Sequence, residues 1–323
     1  MRTVAITGIT GKSGRCLLER MISEAECLSG YKFIFLCRKQ GRRWNDADFQ
    51  ALLHKASGTV NLNWELAEVD LSSVTETETY FKSGRVDILL HIAGVKLSWN
   101  IVSAALKYGV NDFILVHTTG IYSKYKAAGE EYRRIESELG KLTDEYRSRG
   151  RSVALTILRP TMIYGDLADK NISVFIKMVD HLRIFPLVNG ARYDLQPVWC
   201  KDLGNAFFDV LTKWETTRNK EYILSGGAPI QLRRMLEVIA NQLGVRNCFI
   251  SCPFFLAYLG AWFIYLASFG KVDIREKVHR LVEPRAYPHE VATRDFGYSP
   301  VPFEIGVREE IKMYRNSKGA SNE

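Results

Sequence analysis

Residues Thr7, Gly8, Ile9, Thr10, Gly11, Lys12, Ser13 and Gly14 carry the most chemistry per position in the chain. Three glycines at spacing three follow an apolar run, Val4 to Thr7, and precede a segment bearing Leu17, Leu18 and Met21. Glycines so placed allow a tight turn, bring backbone N–H groups close to a pyrophosphate and let a helix pack closely, with the helix N-terminus favouring the negative charge. A triphosphate P-loop is excluded, because that motif needs a glycine five residues before Gly11, where Ile6 stands. The expected ligand is a dinucleotide.

The second apolar run ends in Cys37, Arg38, Lys39, Gln40, Gly41, Arg42 and Arg43, with no acid until Asp46. A carboxylate there would bind the ribose 2′-hydroxyl of NAD, whereas a basic cluster suits the 2′-phosphate of NADP. Arg38 and Lys39 are the expected phosphate ligands, Arg42 and Arg43 read as a solvated loop, and NADP is favoured over NAD. Asp70, followed by Leu71, stands where it can accept from an adenine amino group, or cap a helix beside Ser72 and Ser73.

These residues need elements to position them. Val4–Thr7, Phe33–Cys37, Trp64–Val69, Val86–Ile92, Phe113–His117 and Val153–Leu158 read as strands, and residues 13–28, 73–82, 97–108 and 124–149 as helices. Strands apolar on both faces and separated by helix-length segments belong in a parallel sheet covered on each side. The fold class is therefore α/β, a Rossmann-type doubly wound parallel sheet, with a smaller, mainly helical C-terminal substrate lobe built from Leu203–Trp214, Ile230–Leu243, Phe254–Phe269 and Phe303–Tyr314. Residues 1–160 form the dinucleotide-binding unit, 161–316 the interleaved lobe and 317–323 a frayed tail.

Composition agrees. With 323 residues, 46% apolar and 25% charged, disordered and disulfide-scaffold classes are excluded. The six cysteines are scattered and make no zinc or thioredoxin pattern, so no metal is expected, and buried free thiols fit a reducing, cytoplasmic setting. The chain enters an apolar strand at once, so its start reads as structural rather than as a targeting segment. Lys and Arg total 44 against 36 Asp and Glu, a net charge of +8. The basic residues are dispersed and form no aromatic-interleaved stripe, so nucleic acid is not an expected partner.

These motifs, together with His91 to Gly94, Leu158 to Gly165, Pro197 to Leu203 and Phe296 to Pro300, resemble the extended, NAD(P)-dependent epimerase/dehydratase-like branch of the short-chain dehydrogenase/reductases over nearly the whole chain. The resemblance implies that Ala93 and Gly94 line the cofactor, and that Arg159 and Pro160 lead through Ile163 into the substrate lobe. It also implies hydride transfer by a Ser/Thr and a Tyr-x-x-x-Lys pair, the lysine lowering the tyrosine pKa and holding the nicotinamide ribose. Tyr122 and Lys126 have that spacing, and Thr118 and Thr119 stand in the hydroxyl position. Only two residues separate Thr119 from Tyr122, however, where relatives place a longer loop, so Tyr122 also fits a structural tyrosine. Tyr132 is a second candidate, but Glu136 takes its lysine position, and a carboxylate raises a phenol pKa.

Arg192 and Arg285 stand where nucleotide-sugar relatives hold a substrate diphosphate, for which guanidinium forks are suited. The implied activity is NADP-dependent oxidoreduction or epimerisation of a sugar on a nucleotide or polyprenyl diphosphate; the competing reading is a cofactor sensor or scaffold of the same fold. Asn247 to Gly270 contains no charged residue. A helix begun at Pro253 spans about 25 Å, short of the roughly 30 Å hydrocarbon core. Buried packing or a homodimer face, a helix lying in a membrane interface or covering a lipid-linked substrate, and a true span remain, with Tyr258, Trp262 and Tyr265 suited to an interface and Lys271, Arg275, Lys277 and Arg280 to anionic head groups.

Overall fold

The structure is a computed structural model and describes residues 1–125 and 128–319. Six strands, β1 (Arg2–Thr7), β2 (Tyr31–Cys37), β3 (Trp64–Glu68), β4 (Ile88–His91), β5 (Asp112–Val116) and β6 (Ala154–Pro160), form one parallel sheet in the order 3-2-1-4-5-6. The strand Glu221–Leu224 adds a seventh, parallel to β6. Chain direction across the sheet reverses between β1 and β4, and a crevice opens at their carboxyl ends.

Burial explains the order. β1, β2, β4 and β5 are buried on both faces, as unbroken Val, Ile, Leu and Phe runs require. Helices α1 (Lys12–Ser23), α2 (Ala47–Ser57) and the helix Cys200–Thr212 cover one face, and α3 (Val74–Ser83), α4 (Ser98–Lys107) and α5 (Ala128–Ser148) the other. A third core, among Ile176, Phe185, Leu236, Ile239 and Val307, belongs to the lobe.

The sequence reading assigns no element to 47–57. Yet Phe49, Leu53 and Ala56 are buried at helical spacing, and Asp46 caps the helix by accepting from Phe49 N at 3.1 Å. The expected helix 13–28 stops at Ser23 and continues as a 3-10 turn, Ala25–Leu28. The last helix runs from Phe303 to Gly319, so Ser317 and Lys318 are helical where a frayed tail is expected, and Lys318 Nζ bonds Asp180. Of the cysteines, Cys27 and Cys248 are exposed rather than buried.

The uncharged segment forms the helix Phe254–Ala267. Buried packing fails for it, because Ala261 is its one buried residue. Tyr258 and Tyr265 turn to the neighbouring helix Arg275–Leu281, through His279 and Arg275, while Trp262 is 38% exposed with the Arg275 guanidinium 4.5 Å from its ring. No helix among the described residues is long and apolar enough to cross a membrane.

Helix Cys200–Thr212 crosses α1 at Gly204, where an added Cβ would lie 2.5 Å from the Cys16 carbonyl carbon and 2.6 Å from Leu17 N. Both are backbone atoms and cannot swing aside. Gly204→Ala is therefore expected to destabilise the protein by about 1–3 kcal/mol, lowering Tm by several degrees in calorimetry.

Candidate functional site

The crevice starts with Thr7. His91 is fully buried, and burial pulls its pKa down to about 4, so the ring is neutral. The Gly94 carbonyl can only accept, so His91 Nε2 donates to it at 3.1 Å and Nδ1 accepts from the Thr7 hydroxyl at 2.8 Å. The Thr7 oxygen in turn accepts from Ile92 N and Ala93 N at 3.1 and 3.3 Å. This small network joins the ends of β1 and β4.

Gly8 follows with φ +77°, in the left-handed region that side chains avoid. A Cβ there would lie 2.8 Å from Ala93 N, and one at Gly14 2.3 Å from the Gly8 carbonyl oxygen. Helix α1 then begins with Gly11 as its cap, with no side-chain cap bond and no acid in its first turn. Its first N–H groups and positive dipole end face the crevice, a cradle suited to a pyrophosphate.

Around the cradle lies an outer cleft of about 770 Å³. Gly8, Thr10, Gly11, Lys12, Ser13 and Gly14 line it, with Arg38, Asp70, Leu71, Ala93, Gly94 and Ile163. Lys39 and Pro160 are not among the lining residues: Lys39 is exposed, and Pro160 is buried, its carbonyl accepting from the Thr119 hydroxyl at 3.2 Å. Arg42 and Arg43, read from sequence as a solvated loop, do line the cleft. Arg15 holds that loop in place, bonding Asp46 at 2.6 Å and the Arg43 carbonyl at 3.2 Å. Asp70 accepts from Ser72 N and Oγ, which hold its carboxyl below the usual range, and lies 4.0 Å from Arg38. The helix cap there is Ser73, not Asp70.

A second, inner cleft of about 350 Å³ shares Lys12, Thr118 and Ile163 with the first, so the two are continuous. Thr119, Gln196, Asp169, Arg280, Arg285 and Tyr287 also line it. Thr118 Oγ1 accepts from Gly120 N at 3.0 Å, which leaves its hydroxyl hydrogen to donate elsewhere. Arg285 and Arg280 each carry a buried Nε without a hydrogen-bond partner. Burial, and then the neighbouring Arg280 charge, pull the Arg285 pKa down to about 10. Glu283, the acid nearest in sequence, is engaged by the Ser123 hydroxyl at 2.7 Å and Lys124 N at 3.0 Å. Two neighbouring guanidiniums with no carboxylate at ion-pair distance among the described residues are suited to an oxyanion. Arg192 is exposed and lies outside both clefts, whereas Arg280, which the sequence suits to anionic head groups, lines the inner one; it sits in a short helix with no motif to place it there.

Tyr122 lies outside the two clefts, 47% exposed, its ring 5.6 Å from that of Tyr287 and 6.0 Å from the Arg159 guanidinium. Lys126 falls outside the described residues. Tyr132 lines the outer cleft. Four residues on, Glu136 accepts from His117 Nδ1 at 2.8 Å and from Arg159; His117 Nε2 accepts from the buried Ser98 hydroxyl at 3.1 Å. Burial raises the Glu136 pKa, but His117 and Arg159 outweigh it and keep the carboxyl ionised.

One acidic pair borders the inner cleft. Glu310, on the last helix, is fully buried and accepts from Leu167 N at 3.3 Å, while Asp169 accepts from Asn171 N at 2.7 Å. The remaining oxygens, Asp169 Oδ2 and Glu310 Oε2, are buried, and a protonated Glu310 has the Asp169 carboxylate as its hydrogen-bond partner. Burial and the facing Asp169 carboxyl push the Glu310 pKa up to about 9.

Comparison with known proteins agrees with this geometry. The model of the NAD dependent epimerase/dehydratase family matches residues 4–223. No curated protein matches the sequence. Among solved structures, gox2253 has a TM-score of 0.70 at 19% identity, covering 98% of this chain and 99% of its own. The dTDP-glucose 4,6-dehydratase DesIV from Streptomyces venezuelae, solved with NAD bound, scores 0.68 at 16% identity over 98% of each chain. UDP-glucose 4-epimerase from Thermotoga maritima, solved with UDP-glucose, scores 0.65 at 17% identity over 98% and 99%. At such identities these likenesses concern the fold.

The Glu310 shift sets a pH dependence. A carboxyl with a folded pKa of about 9 against an ordinary 4.5 gives stability that is full below 4.5 and is lost as pH rises toward 9. Glu310→Gln keeps the group neutral at every pH. The Tm of the variant minus that of wild type is expected to grow steadily from pH 5 to 9; parallel curves would contradict the assignment.

Proposed function

The chain belongs to the NAD dependent epimerase/dehydratase family, and on that premise we propose an NADP-dependent oxidoreductase or epimerase acting on a sugar carried by a nucleotide or polyprenyl diphosphate. One observation carries the reading. The outer cleft, with its dinucleotide cradle, runs at Lys12 and Thr118 directly into an inner cleft that ends on the unpartnered guanidiniums of Arg280 and Arg285. A ligand with an anionic tail anchored there would present its other end beside Thr118.

The residues divide the work by their hydrogen bonds. A nicotinamide cofactor in the outer cleft would supply or accept the hydride. The Gly8 to Gly14 turn would hold its pyrophosphate through backbone N–H groups, and Arg38, Arg42 and Arg43 its 2′-phosphate. Thr118 is the hydroxyl free to orient the substrate oxygen, since Thr119 is committed to the Pro160 carbonyl. Arg280 and Arg285 take the diphosphate, and their mutual repulsion falls when the dianion binds. Proton exchange is assigned, on sequence spacing alone, to Tyr122, which lies outside the clefts beside the inner-cleft residue Tyr287, with Lys126 as its pKa modifier.

A second reading, cofactor binding without turnover, is favoured by Glu136. It stands four residues after the cleft-lining Tyr132, where a lysine would activate a phenol, and is locked between His117 and Arg159. Absorbance at the nicotinamide band separates the two. With a 4-keto nucleotide sugar, wild type is expected to oxidise NADPH and Lys126→Ala to do so at least about 100-fold more slowly. Binding without oxidation by wild type would establish the second reading. Arg38→Ala is expected to weaken NADPH binding roughly tenfold to hundredfold by fluorescence titration, the worth of a charge-assisted bond, with NADH little changed.

A further inference from the structure

The helix Phe254–Ala267 has two unlike faces. Phe254, Tyr258, Ala261 and Tyr265 recur at spacings of four, three and four. They turn inward: Phe254 and Tyr258 lie 5.2 and 5.0 Å from the His279 ring, and Tyr265 lies 4.2 Å from the Arg275 guanidinium. The opposite face carries Phe255, Leu259, Phe263 and Leu266, all 63–72% exposed. Leu256 and Ile264 are also exposed beside them. Both tyrosines of the helix are thus turned to protein, the outward stripe is hydrocarbon, and Trp262, 38% exposed, stands at its edge.

The turn after the helix extends this surface. Phe269 is 92% exposed with φ +52°, a backbone conformation a phenylalanine adopts only under constraint. The helix end is closed around it by Ser268 N on Ile264 O and Gly270 N on Tyr265 O, at 2.9 and 2.8 Å. Lys271, two residues after Phe269, and Lys277, on the neighbouring helix, are both exposed with no carboxylate at ion-pair distance among the described residues.

We propose that this helix and its following turn dock on an anionic membrane surface, the outward stripe sunk among the acyl chains and Lys271 and Lys277 against the headgroups. A length of 14 residues, about 21 Å, suits a helix lying in the plane of the interface. The charge argues for lipid over a second copy of the chain. A two-fold contact through the stripe would set the same lysines against each other, whereas anionic headgroups neutralise them. The neighbouring helix Arg275–Leu281 carries Arg280 in its last turn, so docking brings the anion site of the inner cleft near the headgroup plane. The inference stands on the geometry of this hairpin and does not depend on the proposed activity.

Flotation tests it. The full chain is mixed with vesicles of phosphatidylcholine alone or with added phosphatidylglycerol, for wild type, Phe263→Glu/Phe269→Glu and Lys271→Glu/Lys277→Glu. Wild type is expected to float with the anionic vesicles at low salt. The phenylalanine variant should lose at least tenfold in partition on either vesicle, and the lysine variant tenfold or more on the anionic ones only. Circular dichroism and Tm, measured in parallel, report that each variant is folded. Failure of wild type to float, or equal flotation of the variants, overturns the proposal. So does a dimer in sedimentation that Phe263→Glu/Phe269→Glu dissociates without altering flotation, since a second copy would then cover the stripe.

Discussion

Everything in the site depends on the approach of two backbones, Gly8 at the end of β1 and Ile92–Ala93 at the end of β4. The Thr7 hydroxyl and the neutral His91 ring join these segments without a charge, and the absence of a Cβ at Gly8 lets them meet. Because the chain runs outward in opposite directions from this pair, the loops diverge and leave a crevice. The α1 dipole and its uncapped N–H groups then face that crevice instead of being closed by a neighbouring loop. A side chain at Gly8 or a charged ring at position 91 would strike the same seam.

Electrostatics sharpen what the crevice admits. The carboxylates around it are engaged: Asp70 by Ser72, Asp46 by Arg15, Glu136 by His117 and Arg159, Glu283 by Ser123. Several cations are left facing inward, with Arg38, Arg42 and Arg43 at the outer end and Arg280 and Arg285 at the inner end. Arg285 loses hydration and gains repulsion from Arg280 in that position, a cost that Glu283 offsets only in part. Part of the surplus of eight positive charges therefore has a location, at the two ends of the connected clefts. Lys12 sits where the clefts meet, 3.2 Å from Asp166.

The lobe is tied to the sheet by packing that cuts across the chain order. Helix Cys200–Thr212 returns to cross α1, and Glu221–Leu224 completes the sheet beside β6, so segments late in the chain pack directly on the elements that carry the cradle. Glu310, on the last helix, reaches the Asp169 carboxyl at the cleft wall. By contrast, the hairpin of residues 254–281 is held by one face alone.

The parallel sheet and the dinucleotide cradle were legible because they rest on local rules: unbroken apolar strands, glycines at spacing three, and a basic strand end. Even the missed helix 47–57 carried its signal in Asp46, Phe49, Leu53 and Ala56. What sequence could not decide is which side chains converge from distant segments. Arg280 joins Arg285 while Arg192 turns to solvent, Arg42 and Arg43 line the cleft where Lys39 does not, and Tyr122 lies beside Tyr287 outside the clefts while Tyr132 lines one. Burial works the same way. The charge-free stretch was plain in the sequence, but whether its tyrosines or its phenylalanines face outward depends on the helix Arg275–Leu281 packed beneath it. Spacing along the chain fixes the direction of a side chain relative to its own element; only packing between elements fixes what that direction meets.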